Sequence, residues 1–238
     1  MIYLEIILWA FFTLYPIYIF LTHEKEKQSV IAEPAKRLAV YRSIMYYLWA
    51  PTLVLGGLIY GGELSLQDIG LQWHWNLGSQ IGLVALALIA GYILIATKQV
   101  REDTEKHPEM RKQFEFVAWL MPTTKKESRY FIWGVSITAG VCEELLFRGY
   151  LMNFLSQYLP VYGAVLLSSL AFGLPHIYQG PLHVIRTAVM GLVMALVYLA
   201  TDSIFIPIVL HALLDIYGGI LAYIVFSKDS SEPAAAQA

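Results

Sequence analysis

Long, uninterrupted apolar runs constrain this chain more than any other feature. A helix needs roughly 20 apolar residues to cross the hydrocarbon layer of a bilayer. Seven runs approach or reach that length: 2–21, 41–60, 77–96, 130–147, 161–178, 184–200 and 204–226. They predict an all-α fold, a polytopic transmembrane helical bundle of seven or eight spans, in one integral membrane domain over 1–238. Composition agrees, because 58% of the residues are hydrophobic and only 14% are charged. A soluble domain of this size needs more charge to cover its surface. Mean hydropathy is correspondingly high, at +0.57.

The first run resembles a signal peptide only superficially. It lacks a basic start, carries Glu5, and is followed by no small-residue cleavage site, so it reads as a retained span. Pro16, Pro51 and Pro207 fall inside or near span ends, where proline kinks a helix or sets its start. Trp73 and Trp75 suit the membrane interface. Residues 114–120 are too short to cross and read as an amphipathic surface piece. Residues 150–158 read as a short interfacial helix closed by Pro160. Residues 228–238 read as a disordered tail. The chain shows no internal repeat. Its single cysteine, Cys142, excludes an internal disulfide and any cysteine-based metal cluster. No basic patch points to nucleic acid.

Lysine and arginine set the orientation. Thirteen of the sixteen lie in two segments, Lys25 to Arg42 and Lys98 to Arg129. The connections around 64–76 and 201–203 have none. Both basic segments are therefore expected on the cytoplasmic side of a multi-pass protein in a bacterial-type plasma membrane, with the N-terminus outside.

Against this apolar background six ionisable residues stand out. An intramembrane charge costs about 2.5–3.5 kcal/mol on insertion scales. Yet the fourth run holds Glu143, Glu144 and Arg148, the fifth ends at His176, and the seventh carries His211 and Asp215. The simplest explanation is that they meet. Residues four apart share a helix face, so Glu144 can pair with Arg148, and His211 and Asp215 can address one cavity. Glu143 is rotated about 100° from Glu144 and is left free for chemistry. Cys142 reads as a small buried residue rather than a nucleophile.

Glutamate, two histidines and an aspartate suit hydrolysis. Burial among apolar walls makes a carboxylate a better base toward water. Histidines can stabilise the oxyanion of a tetrahedral intermediate, and Asp215 can orient His211 or hold the water. The chain lacks G-x-S-x-G and H-E-x-x-H. A metal version fits the same residue types: Glu143, His176, His211 and Asp215 as ligands of one divalent ion such as zinc, with water in an open position. The residues leave both mechanisms open, with or without a metal cofactor.

Three motifs carry a family resemblance. Gly140-Val-Cys-Glu143-Glu144-Leu-Leu-Phe-Arg148 is similar to the E-E-x-x-x-R motif of the CPBP (Abi) family, Phe172-Gly-Leu-Pro-His176 to its F-x-x-x-H, and His211-Ala-Leu-Leu-Asp215 to its H-x-x-x-N/D. The resemblance covers about 122–225, the expected catalytic core. That family groups type II CAAX prenyl endopeptidases with bacterial bacteriocin-processing and immunity homologues. The resemblance implies an intramembrane peptidase in which Glu143 activates water, Glu144 and Arg148 support the site, and His176 and His211 complete it. Asp215 departs from the pattern, standing where the prenyl endopeptidases have asparagine. The expected partners are the bilayer and a membrane-anchored or lipidated, CAAX-like peptide substrate.

Two alternatives remain at this level. Buried Glu, His and Asp also serve ion-coupled transporters, although transporters usually show repeats and broken helices in both halves. A non-catalytic membrane immunity or binding protein is the other. One geometric conflict also stands: Glu143 lies fourteen residues past Arg129, about 21 Å along a helix, which exceeds half of a roughly 30 Å core. The helix before Glu143 begins deeper, a span is miscounted, or the site opens to the other face.

Overall fold

Each apolar run folds as a helix, because a chain segment in lipid must satisfy its own backbone polar groups. The computed structural model describes residues 2–227, and the expected disordered tail lies outside them. In chain order the helices are α1 (Ile2–Ala32), α2 (Arg37–Tyr60), α3 (Leu77–Glu102), the short α4 (His107–Gln113), α5 (Lys125–Ser156), α6 (Val161–Gly173), α7 (Pro181–Thr201) and α8 (Phe205–Phe226). All but α4 count as spans, α6 together with the 3-10 turns Leu174–Gln179 that tighten its end. Seven spans result, and no strand forms among the described residues.

Burial separates the spans into two kinds. Only 11% of the apolar windows of α1 and α3 is buried, against 56% for α5. Helices so exposed and so apolar need lipid around them, and α5 is the central post. It packs against α2, α6 and α8. Between lipid-embedded helices there is little hydrophobic driving force, so close backbone packing has to supply the association. Gly140 shows how. A Cβ there would lie 2.8 Å from the Ala212 Cβ and 3.0 Å from the Ile208 carbonyl oxygen, so only glycine lets α5 and α8 approach this closely.

Several boundaries differ from the sequence expectation. α1 continues through the charged stretch Glu24–Lys27 to Ala32, since no breaker occurs before Pro34. Residues 150–156 are the end of α5 and not a separate interfacial helix. Tyr150, Leu151 and Met152 are buried in the bundle, and the first breaker after them is Pro160. α5 contains two stretches of π-type turns, Phe131–Ser136 and Leu145–Met152. They flank the regular turns that carry Glu143 and Glu144.

Residues 114–120 also depart from expectation. They fold under the bundle instead of lying flat, with Val117, Trp119 and Leu120 buried. Arg37 holds them. Its guanidinium donates to the Trp119 carbonyl at 2.9 Å and the Thr123 hydroxyl at 3.1 Å, and pairs with Glu127 at 2.9 Å. The Tyr41 hydroxyl donates to the Leu120 carbonyl at 2.6 Å. Glu127 also completes a capping box with Thr124 that starts α5. Arg37 is thus a buried staple and not a solvated loop charge. At the opposite end Asn76 caps α3 and donates to the Thr201 carbonyl at 3.0 Å, while Asn153 donates to the Asp68 carbonyl at 2.8 Å. These bonds tie the connections at that end to the helices.

Candidate active site

Three elements bring the six ionisable residues together: α5 with Glu143, Glu144 and Arg148, the 3-10 turns after α6 with His176, and α8 with His211 and Asp215. The pairing expected at helical spacing forms. Arg148 Nη1 donates to Glu144 Oε1 at 2.9 Å, with both side chains sealed from solvent (1% and 0% exposed). The other arm of the guanidinium donates to the Gly191 carbonyl at 2.9 Å. Its plane lies 4.2 Å from the centre of the Phe172 ring. A buried charge is tolerable only when paired and hydrogen-bonded, and this one is both. Gly191 makes room: a Cβ there would stand 3.0 Å from Phe172 and 3.2 Å from Arg148 Nη2.

Glu144 also reaches a residue that no local spacing predicts. His211 Nδ1 sits 2.7 Å from Glu144 Oε1. An ionised carboxylate only accepts, so Nδ1 is the donor, and the bond fixes the imidazole ring. His211 Nε2 then faces two further carboxylates, Glu143 at 3.8 Å and Asp215 at 3.7 Å. Asp215 is the most open of the cluster, at 39% side-chain exposure. His176 is fixed from the other side. Its Nδ1 donates to the Phe172 carbonyl at 3.1 Å, which leaves Nε2 free with its lone pair when the ring is neutral.

Glu143 has neither a helical partner nor a hydrogen bond among the described residues. Its side chain is 15% exposed and lines a cavity of about 250 Å³ together with His176, His211 and Asp215. The cavity is walled by the tucked segment before α5, the end of the 3-10 turns and the later half of α8. All three belong to the end of the bundle that carries the basic segments. The same cavity holds Glu143, so the site is lined by segments from the basic end of the bundle.

The four residues expected as metal ligands all line this cavity. Among the described residues, however, no three His, Cys, Asp or Glu side chains are placed to hold one ion. His211 Nδ1 and His176 Nδ1 are both committed to other partners. Cys142 is fully buried against Leu48 and Ala139, away from the cavity, as expected of a packing residue.

Residues 125–217 match the family model described as type II CAAX prenyl endopeptidase Rce1-like. The matched segment is less than half of the chain. All six residues lie inside it, and its limits are narrower than the 122–225 of the motif-based resemblance. The match supports a CAAX-type intramembrane protease in this segment. No curated protein and no solved structure matches the chain. The Rce1-like segment does not build the cavity alone, however. Trp119 and Leu120 precede it, as do Tyr15, His23 and Glu26 of α1, which line a smaller cleft of about 90 Å³ that also reaches Glu143 and His176. Sequence reasoning missed these residues, along with Tyr178 and Phe172 as contributors to the site. Phe172 alone had a signal, its place in the second motif. Its ring touches Arg148 at 4.2 Å and lies 5.8 Å from His211 and 5.5 Å from His176.

Proposed function

We propose that the chain hydrolyses a peptide bond of a membrane-anchored or lipidated polypeptide, with Glu143 as the base that activates water. One observation carries this reading: Glu143 lines the cavity with only 15% of its side chain exposed and accepts no hydrogen bond from a described residue, its nearest charged neighbour being His211 Nε2 at 3.8 Å, and it shares the cavity wall with the free Nε2 of His176. A water between them would donate one hydrogen to His176 Nε2 and lose the other to Glu143 as its oxygen attacks the scissile carbonyl carbon. The new C–O bond makes a tetrahedral oxyanion, which His211 can stabilise through Nε2–H as the doubly protonated imidazolium, its Nδ1–H held by Glu144. Collapse breaks the C–N bond, and Glu143 passes its proton to the leaving amine. Atoms and charges balance without a covalent intermediate. In the metal reading a zinc-type ion on Glu143, His176, His211 and Asp215 would supply the activation of water, but these side chains as they stand among the described residues are not placed to hold one ion.

The test is cleavage of labelled membrane peptides, prenylated and not, by purified protein and Glu143→Gln, with and without chelator. The proposal expects cleavage that the variant loses by at least about 100-fold, the span of general-base catalysis, and that the chelator spares. Loss with chelator and recovery with added metal would favour the metal form. A variant that cleaves like the parent would refute the role of Glu143.

A further inference from the structure

Attack of water on a carbonyl carbon puts negative charge on the carbonyl oxygen, and fixed hydrogen-bond donors must meet it there. The side chains that wall the cavity at Glu143 supply few. Asp215 only accepts when ionised. His176 spends its Nδ1–H on the Phe172 carbonyl. His211 offers Nε2–H only while doubly protonated, because its Nδ1–H is held by Glu144. Apart from these residues and Glu143, the wall is apolar except for Tyr178 and Gln179. The neutral donors are thus two adjacent residues at the end of the 3-10 turns.

Tyr178 is held in place by both its ring and its oxygen. The ring stacks on His176, with centres 6.1 Å apart and planes at 28°, and meets Trp119 edge-on at 6.4 Å. Its hydroxyl oxygen accepts from the Gln179 amide at 2.8 Å. An amide N–H cannot accept in return, so the phenolic hydrogen is not spent on Gln179, and no other described residue accepts it. Tyr178, Glu143 and His176 each line both the cavity and the smaller cleft beside α1, so the two openings meet where these three side chains stand. The Trp119 indole N–H is also unpartnered, but it is sealed from solvent, and Trp119 lines the cleft and not the cavity.

We infer that the Tyr178 hydroxyl donates a hydrogen bond to the developing oxyanion, as the neutral partner of His211. The inference rests on the proposed peptidase reading and adds a catalytic residue to it. The phenol keeps its proton. Its hydrogen bond strengthens as the carbonyl oxygen gains charge and weakens when the C–N bond breaks, so it favours the transition state over the bound substrate. Gln179 is a positioning residue, which holds the oxygen so that the hydrogen points into the cavity.

Tyr178→Phe removes the hydroxyl and keeps the ring that packs on His176 and Trp119. Cleavage of a fluorescent S-prenylated CAAX hexapeptide is read in nanodiscs on the parent, Tyr178→Phe and Glu143→Gln. Binding is read by anisotropy with two ligands and chelator present: the intact peptide on Glu143→Gln protein with and without Tyr178→Phe, and a phosphinate analogue of the peptide on the parent and Tyr178→Phe. The phosphinate sets a tetrahedral anion where the scissile carbonyl stands. Tyr178→Phe should lower kcat about 100-fold, the scale of one oxyanion donor, and leave KM nearly unchanged. Phosphinate affinity should fall by a similar factor, while the intact peptide binds as before. A Tyr178→Phe protein that cleaves like the parent would overturn the inference. So would equal weakening of both ligands, the result of a role in packing the ground state. If Tyr178→Phe loses kcat while Glu143→Gln cleaves like the parent, the Tyr178 assignment stands and the role of Glu143 falls. A parent that cleaves no peptide takes both down.

Discussion

Replacing Arg148 with alanine tests the buried network directly. The guanidinium holds Glu144 at 2.9 Å, the Gly191 carbonyl at 2.9 Å and the Phe172 ring at 4.2 Å. Its loss leaves the Glu144 carboxylate sealed from solvent with His211 as its sole partner. Breaking one half of a buried pair costs about 3–5 kcal/mol, and the cation–π contact adds up to about 2 kcal/mol when desolvated. The single variant should therefore unfold at a clearly lower temperature in detergent, read by intrinsic tryptophan fluorescence, and should cleave nothing. The double variant Glu144→Leu with Arg148→Met should recover most of the stability, because volume-matched apolar pairs often replace buried ion pairs at little cost. Its activity should not return. His211 would have lost the acceptor at 2.7 Å that holds its ring, and misplacing such a group costs about 100-fold or more in rate. A fully active double variant would refute the claim that Glu144 positions His211. An Arg148→Ala protein as stable as the parent would refute the energetic argument for the pair.

Three further outcomes follow from the same geometry. Gly140→Val should force α5 and α8 apart, since a Cβ at Gly140 already meets Ala212 at 2.8 Å. The overpacking should cost about 1–3 kcal/mol and lower kcat by stretching the Glu144–His211 bond, and unaltered thermal stability would contradict it. Arg37→Ala should loosen residues 114–120, at a cost nearer 1–3 than 5 kcal/mol, because Glu127 keeps its bonds from the Thr123 and Thr124 backbone at 2.8 and 3.0 Å. Hydrogen exchange should rise in 114–121 and not in α7, and protection equal to the parent's would refute the staple. Asp215→Asn keeps the shape of the side chain and adds N–H donors. It should retain cleavage within about 10-fold, the scale of one hydrogen bond, whereas abolished cleavage restored by no pH would point to a required carboxylate ligand.

The sequence by itself determined what is local. Each span is readable because its apolar length and the cost of unsatisfied backbone in lipid act within one segment. The Glu144–Arg148 pair and the shared face of His211 and Asp215 are readable because helix geometry repeats every four residues. The isolation of Glu143 followed from the same periodicity. Only the tertiary structure decided the rest. Glu144 and His211 are 67 positions apart, and Arg37 and Glu127 are 90 apart, so nothing in either segment announces the other. The glycines that permit these meetings, Gly140 and Gly191, look like any other glycine until a facing helix is present. The cavities at Glu143 are a property of no single helix. α1, the tucked segment 114–121, the 3-10 turns and α8 each supply a wall, and those walls meet only once packing has placed them side by side.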